Sequence, residues 1–491
     1  MIKSITILGG GTAGLISALM LRATFNSLKI TIVESSEYGI VGVGEGSTEH
    51  WVGFMNHCNI SVYDLIKETG ATYKTGINFQ DWNGIGTCYW HSLAENVFEQ
   101  ESQTGVHATL IKQIADNSNP LDSVLPTALK SMHTVPAYHT SFAQYHFDTN
   151  KLNTFLHNLC MERNIQVIDD IVENVTIRDG FVIDLVGKKQ SYTSDFFIDS
   201  SGFRRVIDSK LQGVWIDCKK QLPMNSAYAA PSPYEENIPS HTLAKALSSG
   251  WMWRIPTQDR FGNGYVYCDD FISDDNAEIE FRNQFQHDIE IAKRIKFNAG
   301  YVDKFWNKNC LSVGLSGMFV EPLEATSIGF TIQQMFSFCS GILNWNKQNQ
   351  IPAKTYNLDF KKVAENIIDF VQLHYITKRS DTEFWKWVST GIELTDFNKE
   401  SLEKFKNTLP GRYNFNYNYT MFKELNWLQI MHGLGMFNIE KINKLFYDNL
   451  SHTIPFIENI KKQQEYYSSQ NDYVSHRQAL NTILERETNE Y

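Results

Sequence analysis

Ile5-Thr6-Ile7-Leu8-Gly9-Gly10-Gly11-Thr12-Ala13-Gly14 runs from a short apolar stretch into a GxGxxG turn, and Leu15, Ala18, Leu19 and Leu21 follow at helical spacing. The stretch predicts a buried strand, a glycine turn and a helix. Gly9 permits the tight turn, Gly11 lets a pyrophosphate approach the backbone, and Gly14 lets helix and strand pack closely, with the helix N-terminus favouring negative charge. Thr12 and Ala13 complete the set of candidate phosphate contacts. Lys29 to Val33 predicts a second strand, closed by Glu34 about 20 residues past Gly14, where a carboxylate can accept both ribose hydroxyls. In this full context the motif points to a dinucleotide site rather than to a glycine turn kept for packing. FAD and NAD share such a turn, so other segments must decide between them.

Working outward, the 491 residues suffice for two or three domains, or for one large α/β body with an appended subdomain. A net charge of −11 leaves no broad basic field, so neither nucleic acid nor an acidic membrane is an expected partner. Small molecules or proteins are. The 7 cysteines are scattered and form no CxxC pair, which argues against a disulfide framework and against a metal site. The chain enters its first strand at once, without a signal-peptide pattern, and no apolar run reaches the roughly 18 residues a membrane span needs. A cytoplasmic, soluble protein is expected.

Tyr145-His146-Phe147-Asp148-Thr149 leads into a helical pattern at Leu152, Phe155, Leu156 and Leu159, and the apolar strand Asp195 to Asp199 runs into Ser200-Ser201-Gly202. A nucleotide domain interrupted by a long insertion and resumed by a strand ending in Asp-x-x-Gly resembles the flavin monooxygenases of the hydroxybenzoate-hydroxylase type. That resemblance favours FAD and places Asp199 at the cofactor. It also makes Ser312-Val313-Gly314-Leu315 the later turn at the ribityl chain, although Leu315 stands where many relatives have aspartate. The expected fold is α/β: a Rossmann-type FAD-binding domain with an inserted β-sheet region over 1–355, and a mainly helical C-terminal subdomain over 356–491. Helical periodicity supports the latter from Phe360 onward, through Ile367, Ile368, Phe370, Val371 and His374, and again at Leu402, Phe405 and Leu409.

Gly250-Trp251-Met252-Trp253-Arg254-Ile255-Pro256 puts two tryptophans one residue apart, so on a strand both rings face one side. Two such rings can wall off a cavity or simply fill a core. WxWxIP, however, resembles the signature of the flavin-dependent halogenases similar to the tryptophan halogenases. In that family the motif lies close to the flavin and keeps substrate away from it, so that halide is oxidised in place of the organic molecule. The resemblance covers most of the chain. Ile40 to Thr48, with Gly42, Val43, Gly44, Glu45 and Ser47, looks like the loop covering the isoalloxazine and linking flavin and substrate sites. Tyr73-Lys74-Thr75-Gly76 with Trp82 looks like the segment of the catalytic lysine, and Tyr89-Trp90-His91 follows where relatives have a tyrosine-histidine pair near the substrate. Leu373-His374-Tyr375, Arg379, Phe384-Trp385, Trp427 and Gly433-Leu434-Gly435 match the C-terminal half.

Gly314 to Phe330, GLSGMFVEPLEATSIGF, joins a glycine turn to Glu321-Pro322 and sets Glu324 ahead of a helix whose N–H groups could hold an anion. By resemblance Glu324 is the second essential residue, the halide lies at the amides of Thr326 and Ser327, and Gly329 borders the flavin. Ala325 stands where tryptophan halogenases usually have serine and Ser327 where they commonly have glycine, changes expected to alter halide preference. An arbitrary lysine is usually a solvated charge and an arbitrary histidine usually packs. Here the family implies that Lys74 receives hypohalous acid through a tunnel, with His91, Ser47, Trp251, Trp253 and Pro256 along the route. The implied cofactors are FAD as FADH2, a halide ion (chloride, bromide or iodide) and O2. The implied partners are a separate NAD(P)H flavin reductase supplying FADH2 by diffusion and a small indole- or phenol-type aromatic; a homo-oligomer stays open. A flavin aromatic hydroxylase and a non-catalytic flavin-binding protein are the alternatives. The clamp by which free-tryptophan halogenases hold the amino acid has no counterpart that can be placed, since a pair such as Tyr466-Tyr467 in an amphipathic tail is more often packing.

Overall fold

The computed structural model describes residues 2–39, 44–92, 107–119, 134–136, 144–234, 237–416, 418–469 and 473–486. The chain divides into two units, each assembled from three separate segments. The first comprises Met1–Gly70, Phe147–Lys219 and Phe297–Glu365. Its centre is a six-stranded sheet in the order Trp306–Asn307, Cys310–Ser312, Phe196–Asp199, Ser4–Leu8, Lys29–Glu34 and Gln166–Asp169. All neighbours are parallel except the Trp306–Asn307 hairpin. Strands such as Ile5, Ile7, Ile30, Ile32, Phe196 and Ile198 are buried, as a parallel sheet covered on both faces requires. The helix Thr12–Thr24 crosses from the first strand to the second and packs against the helices Thr149–Glu162 and Thr326–Gly341. Asp148 starts the helix Thr149–Glu162 by accepting the Asn150 and Lys151 amides. An antiparallel ribbon, Val172–Arg178, Phe181–Gly187 and Ser191–Thr193, joins its apolar residues to Leu8, Val33 and Phe197 in one core.

The second unit comprises Ala71–His146, Lys220–Lys296 and Asn366–Tyr491. It holds a seven-stranded sheet in the order Lys293–Lys296, Ser226–Pro233, Arg260–Tyr267, Gly250–Pro256, His241–Ala246, Gly76–Gln80 and Cys88–Ser92. Only the His241–Ala246 and Gly76–Gln80 pair runs parallel. Its last segment is mainly helical, with Glu383–Gly391, Asp396–Asn407, Glu424–Gly433, Ile439–Asn449, Ile454–Ser469 and His476–Arg486. The mixed α/β architecture with a helical C-terminal part is thus the one expected. Among the described residues no helix is long and apolar enough to cross a membrane.

Candidate active site

In the first unit the nucleotide motif lies at the carboxyl ends of parallel strands, where α/β sheets bind ligands. Gly9 has φ +116°, and a Cβ there would stand 2.3 Å from the Ser200 carbonyl oxygen. A Cβ on Gly14 would stand 2.0 Å from the Gly9 carbonyl oxygen, so both glycines are required by close approach. Among the described residues a Cβ on Gly11 would meet nothing within 4 Å, which leaves that face of the turn clear of them. Gly11 also begins the helix without a side-chain cap, so the first-turn amides keep their donor capacity. Beside them Thr12 Oγ1 donates to Asn153 Oδ1 at 2.9 Å, and the buried Asn153 Nδ2 has no hydrogen-bond partner among the described residues. The Glu34 carboxylate lies over Gly10 and 3.3 Å from His157 Nε2. An open glycine, uncapped amides, an orphaned buried donor and a carboxylate at the second strand's end are what a dinucleotide's pyrophosphate and ribose need.

Asp199 is used differently from an open acceptor. One carboxylate oxygen accepts from the Ser201 amide and hydroxyl and from the Ser316 hydroxyl, while the other accepts from the Ile207 and Asp208 amides. The residue therefore ties two turns together behind the strand ends. Gly314, at φ +57°, brings the second glycine turn against Ala13, where a Cβ would lie 2.5 Å from the Ala13 Cβ. Gly42 and Val43 lie outside the described residues, whereas Gly44 and Glu45 lead into the short strand Glu45–Gly46 and Ser47 is buried. A Cβ on Gly329 would come 2.2 Å from Thr48 Oγ1, so that glycine lets the helix Thr326–Gly341 close on the same loop.

That helix begins unusually. Glu324 (φ 65°, ψ 3°) and Ala325 (φ 54°, ψ 42°) are consecutive left-handed residues, neither of them glycine, and the turn is closed by the Ala325 amide donating to the Pro322 carbonyl at 3.0 Å. Each costs about 1–2 kcal/mol, a strain that persists where the surroundings over-determine it and that clusters at functional sites. Glu324 is 5% exposed, Thr326 is buried, Ser327 is half-buried, and no side chain caps the helix.

In the second unit Lys74 is 3% exposed, between the strands Thr72–Tyr73 and Gly76–Gln80. Its amide donates to the Gln144 carbonyl at 3.0 Å, and the Thr75 amide and hydroxyl donate to the Ser240 carbonyl at 2.7 and 2.9 Å. Trp251 and Trp253 face one side of their strand with ring centroids 6.0 Å apart, Trp251 adjoins Trp82, and the buried Trp253 Nε1 has no hydrogen-bond partner among the described residues. The Pro256 carbonyl that ends this strand accepts from the Thr72 hydroxyl at 2.7 Å, so the motif and the lysine segment are tied within one unit. His91 is buried across from Ile77; its Nε2 accepts from Asn426 Nδ2 at 3.0 Å, because Asn426 Oδ1 is taken by the Lys423 amide. That bond joins the sheet to the helix Glu424–Gly433. Thr72, His146, Thr242 and His476, which surround the lysine segment, were not singled out from sequence; the YHF run at His146 was visible, but His476 lies in a polar tail with no distinguishing pattern.

The family model for tryptophan halogenases matches residues 4–445. Tryptophan 6-halogenase SttH of Streptomyces toxytricini is 29% identical over 477 residues, covering 88% of this chain and 89% of that protein. The 7-chloro-L-tryptophan 6-halogenase KtzR of Kutzneria sp. (strain 744) is 30% identical over 444 residues, covering 82% and 85%. Among solved structures, BrvH, a flavin-dependent halogenase from Brevundimonas sp. BAL3, superposes with a TM-score of 0.83 at 26% identity over 98% of this chain and 99% of that one. With a nucleotide turn shaped for a dinucleotide, a buried lysine tied to a WxWxIP strand and this extent of likeness, the chain belongs to the tryptophan halogenase family and is a flavin-dependent halogenase.

Proposed function

We propose that this halogenase is a two-component enzyme that takes FADH2 from a separate NAD(P)H flavin reductase and halogenates an electron-rich aromatic of indole or phenol type. When bound, reduced FAD supplies, with O2, the oxidising equivalent that converts chloride, bromide or iodide to hypohalous acid. Gly9, Gly11, Thr12, Ala13 and Gly14 would hold its pyrophosphate, with the Asn153 amide alongside, and Glu34 its ribose. Gly42, Val43, Gly44 and Glu45 would cover the ring system and Gly314 and Gly329 would border it. Asp199 shapes the turn behind them through its bonds to Ser201, Ile207, Asp208 and Ser316. The Thr326 and Ser327 amides, at an uncapped helix start, would receive the halide.

The observation that carries the reading is the burial of Lys74 beside the strand of Trp251, Trp253 and Pro256. Burying an ammonium costs free energy unless it is paired or hydrogen-bonded, so a lysine at this depth is a specific feature of the fold, and Lys74 can donate a hydrogen bond to hypohalous acid or, as the amine, take its halogen. Trp251 and Trp253 would wall the oxidant's route, with Ser47 and His91 also along it. Glu324 would polarise the oxidant or accept the proton released on substitution, which is general-base work. The test is incubation with FAD, a flavin reductase, NADH, bromide and an indole, read by mass spectrometry. A bromide-dependent monobrominated product is expected. An oxygenated product formed without bromide would instead make the chain a hydroxylase, and FAD binding without turnover would make it a non-catalytic flavoprotein. Lys74→Ala should lower product at least about 100-fold while NADH consumption and peroxide release continue.

A further inference from the structure

The backbone that carries Lys74 is gripped from two sides by buried imidazoles. His476, the first residue of the helix His476–Arg486, accepts the Tyr73 amide on Nε2 at 2.9 Å, and its Nδ1 donates to the Pro239 carbonyl at 3.2 Å. Its ring stacks on that of Tyr73, with centroids 5.7 Å apart and planes at 21°. On the other side His146 stands opposite Thr72 in antiparallel register. Because the Thr72 hydroxyl donates to Pro256, its oxygen can only accept from His146 Nδ1, 3.3 Å away, so His146 Nε2 accepts from the Thr242 hydroxyl at 2.9 Å. The Tyr73 carbonyl accepts from the same His146 N–H, which it shares with the Thr72 hydroxyl. That carbonyl and the Lys74 amide are the two halves of one peptide group, and the amide half donates to Gln144.

The C-terminal segment adds a second hold. Arg477 Nη2 donates to the Gln258 carbonyl at 2.9 Å, and Gln258 Nε2 donates to the Ala71 carbonyl at 2.9 Å. The strand Tyr473–Ser475 just before it is anchored by pairing with Thr134–Pro136. Burial pushes the His476 imidazole down to about 4, against the opposing pull of the Pro239 carbonyl, and burial together with the Lys74 charge holds His146 well below the ordinary histidine range. Each ring is therefore one donor and one acceptor, and in each ring both are engaged.

We infer that His476 and His146 are positioning residues for Lys74, and that the C-terminal segment Tyr473–Arg486 is part of the lysine station rather than a trailing end. The inference rests on the assignment of Lys74 above. Neither histidine needs to touch oxidant or substrate; what each controls is where the Tyr73–Lys74 peptide sits, and a misplacement of about 1 Å at a reacting group can cost about 100-fold.

The experiment uses the full chain with FAD, a flavin reductase, NADH, bromide, an indole and a hypobromous-acid scavenger. His476→Ala should cut brominated indole per bromide oxidised by about tenfold or more, with scavenged oxidant rising to match and NADH consumption unchanged. His476→Gln, whose amide oxygen can accept the Tyr73 N–H, should restore most of the coupling, a rescue that mere packing would not show. Thr242→Val, which removes the donor to His146 with little change in shape, should shift coupling the same way and serves where His476→Ala fails to fold. Wild-type coupling in a folded His476→Ala protein, or in Thr242→Val where the former does not fold, overturns the inference. Lys74→Ala run alongside separates the two failures. Product retained there overturns the lysine assignment and the clamp with it, whereas product lost there with coupling intact in the histidine variant overturns the clamp alone.

Discussion

Among the described residues neither carboxylate oxygen of the buried Asp208 has a hydrogen-bond partner, although its own amide donates to Asp199. Burial, and then the Asp199 charge, push this carboxyl up to about 7, against the attraction of Arg205, whose Nη1 lies 4.0 Å away. The folded protein therefore holds a proton that the unfolded chain releases near 4, so the associated stability is complete below about 4 and is lost as pH rises through about 7. Denaturant unfolding from pH 4 to 8 should show wild type losing stability relative to Asp208→Asn, by no more than about 1.4 kcal/mol per pH unit. Parallel pH profiles for the two proteins would rule this out. At this scale the sequence was most legible where spacing alone dictates geometry: the glycines of the nucleotide turn and the shared face of Trp251 and Trp253. The burial of Lys74 was not legible from composition, since a lysine is ordinarily exposed. It arises because Gln144 and Ser240, remote in the chain, bond the backbone of Lys74 and Thr75.

Strand pairing decides what the tryptophan motif can do. Trp253 sits opposite Gly264, and a Cβ on Gly264 would lie 2.0 Å from the Trp253 ring, so the glycine is the space into which the ring lies. Gly264→Ala should displace Trp253 at a cost of about 1–3 kcal/mol, read as a lower melting temperature and altered tryptophan fluorescence. An unchanged melting temperature would mean that the ring has room elsewhere. Nothing in the sequence of either strand announces the pairing, because register is a property of two segments at once. The start of the helix Thr326–Gly341 poses the converse problem. A helix after Glu324 was expected, but two left-handed residues without glycine were not, because local preference argues against them. Ala325→Gly removes the side-chain penalty at φ 54° and should raise stability by up to about 1 kcal/mol, as a shift in the denaturation midpoint. A lower midpoint would show that the Ala325 methyl is held by packing worth more than the strain. The helix Ile351–His374 also begins earlier than its periodicity, which reads only from Phe360; Pro352 occupies the first turn, where its missing N–H costs nothing.

Interleaving governs the molecule as a whole, and it is invisible to composition and periodicity because both are read along the chain. The second unit draws its lysine strand from Ala71–His146, its tryptophan strand from Lys220–Lys296 and its helices from Asn366–Tyr491. Those helices complete the core under the sheet. Trp82 packs on His374, Tyr375 and Trp385, and Gly433 approaches so closely that a Cβ there would lie 2.3 Å from the Tyr89 ring. His91 takes its hydrogen bond from Asn426. A fragment of residues 1–355 would keep the sheet and lose all of these partners, leaving Trp82, Tyr89 and His91 uncovered. An apolar face of that kind binds hydrophobic dyes and aggregates. The fragment should therefore be insoluble, or soluble with dye binding and without the sharp near-ultraviolet dichroism of packed aromatic rings, even though its nucleotide turn is intact. A soluble fragment that unfolds in one cooperative transition at the full chain's midpoint would mean that the sheet is stable without its helices.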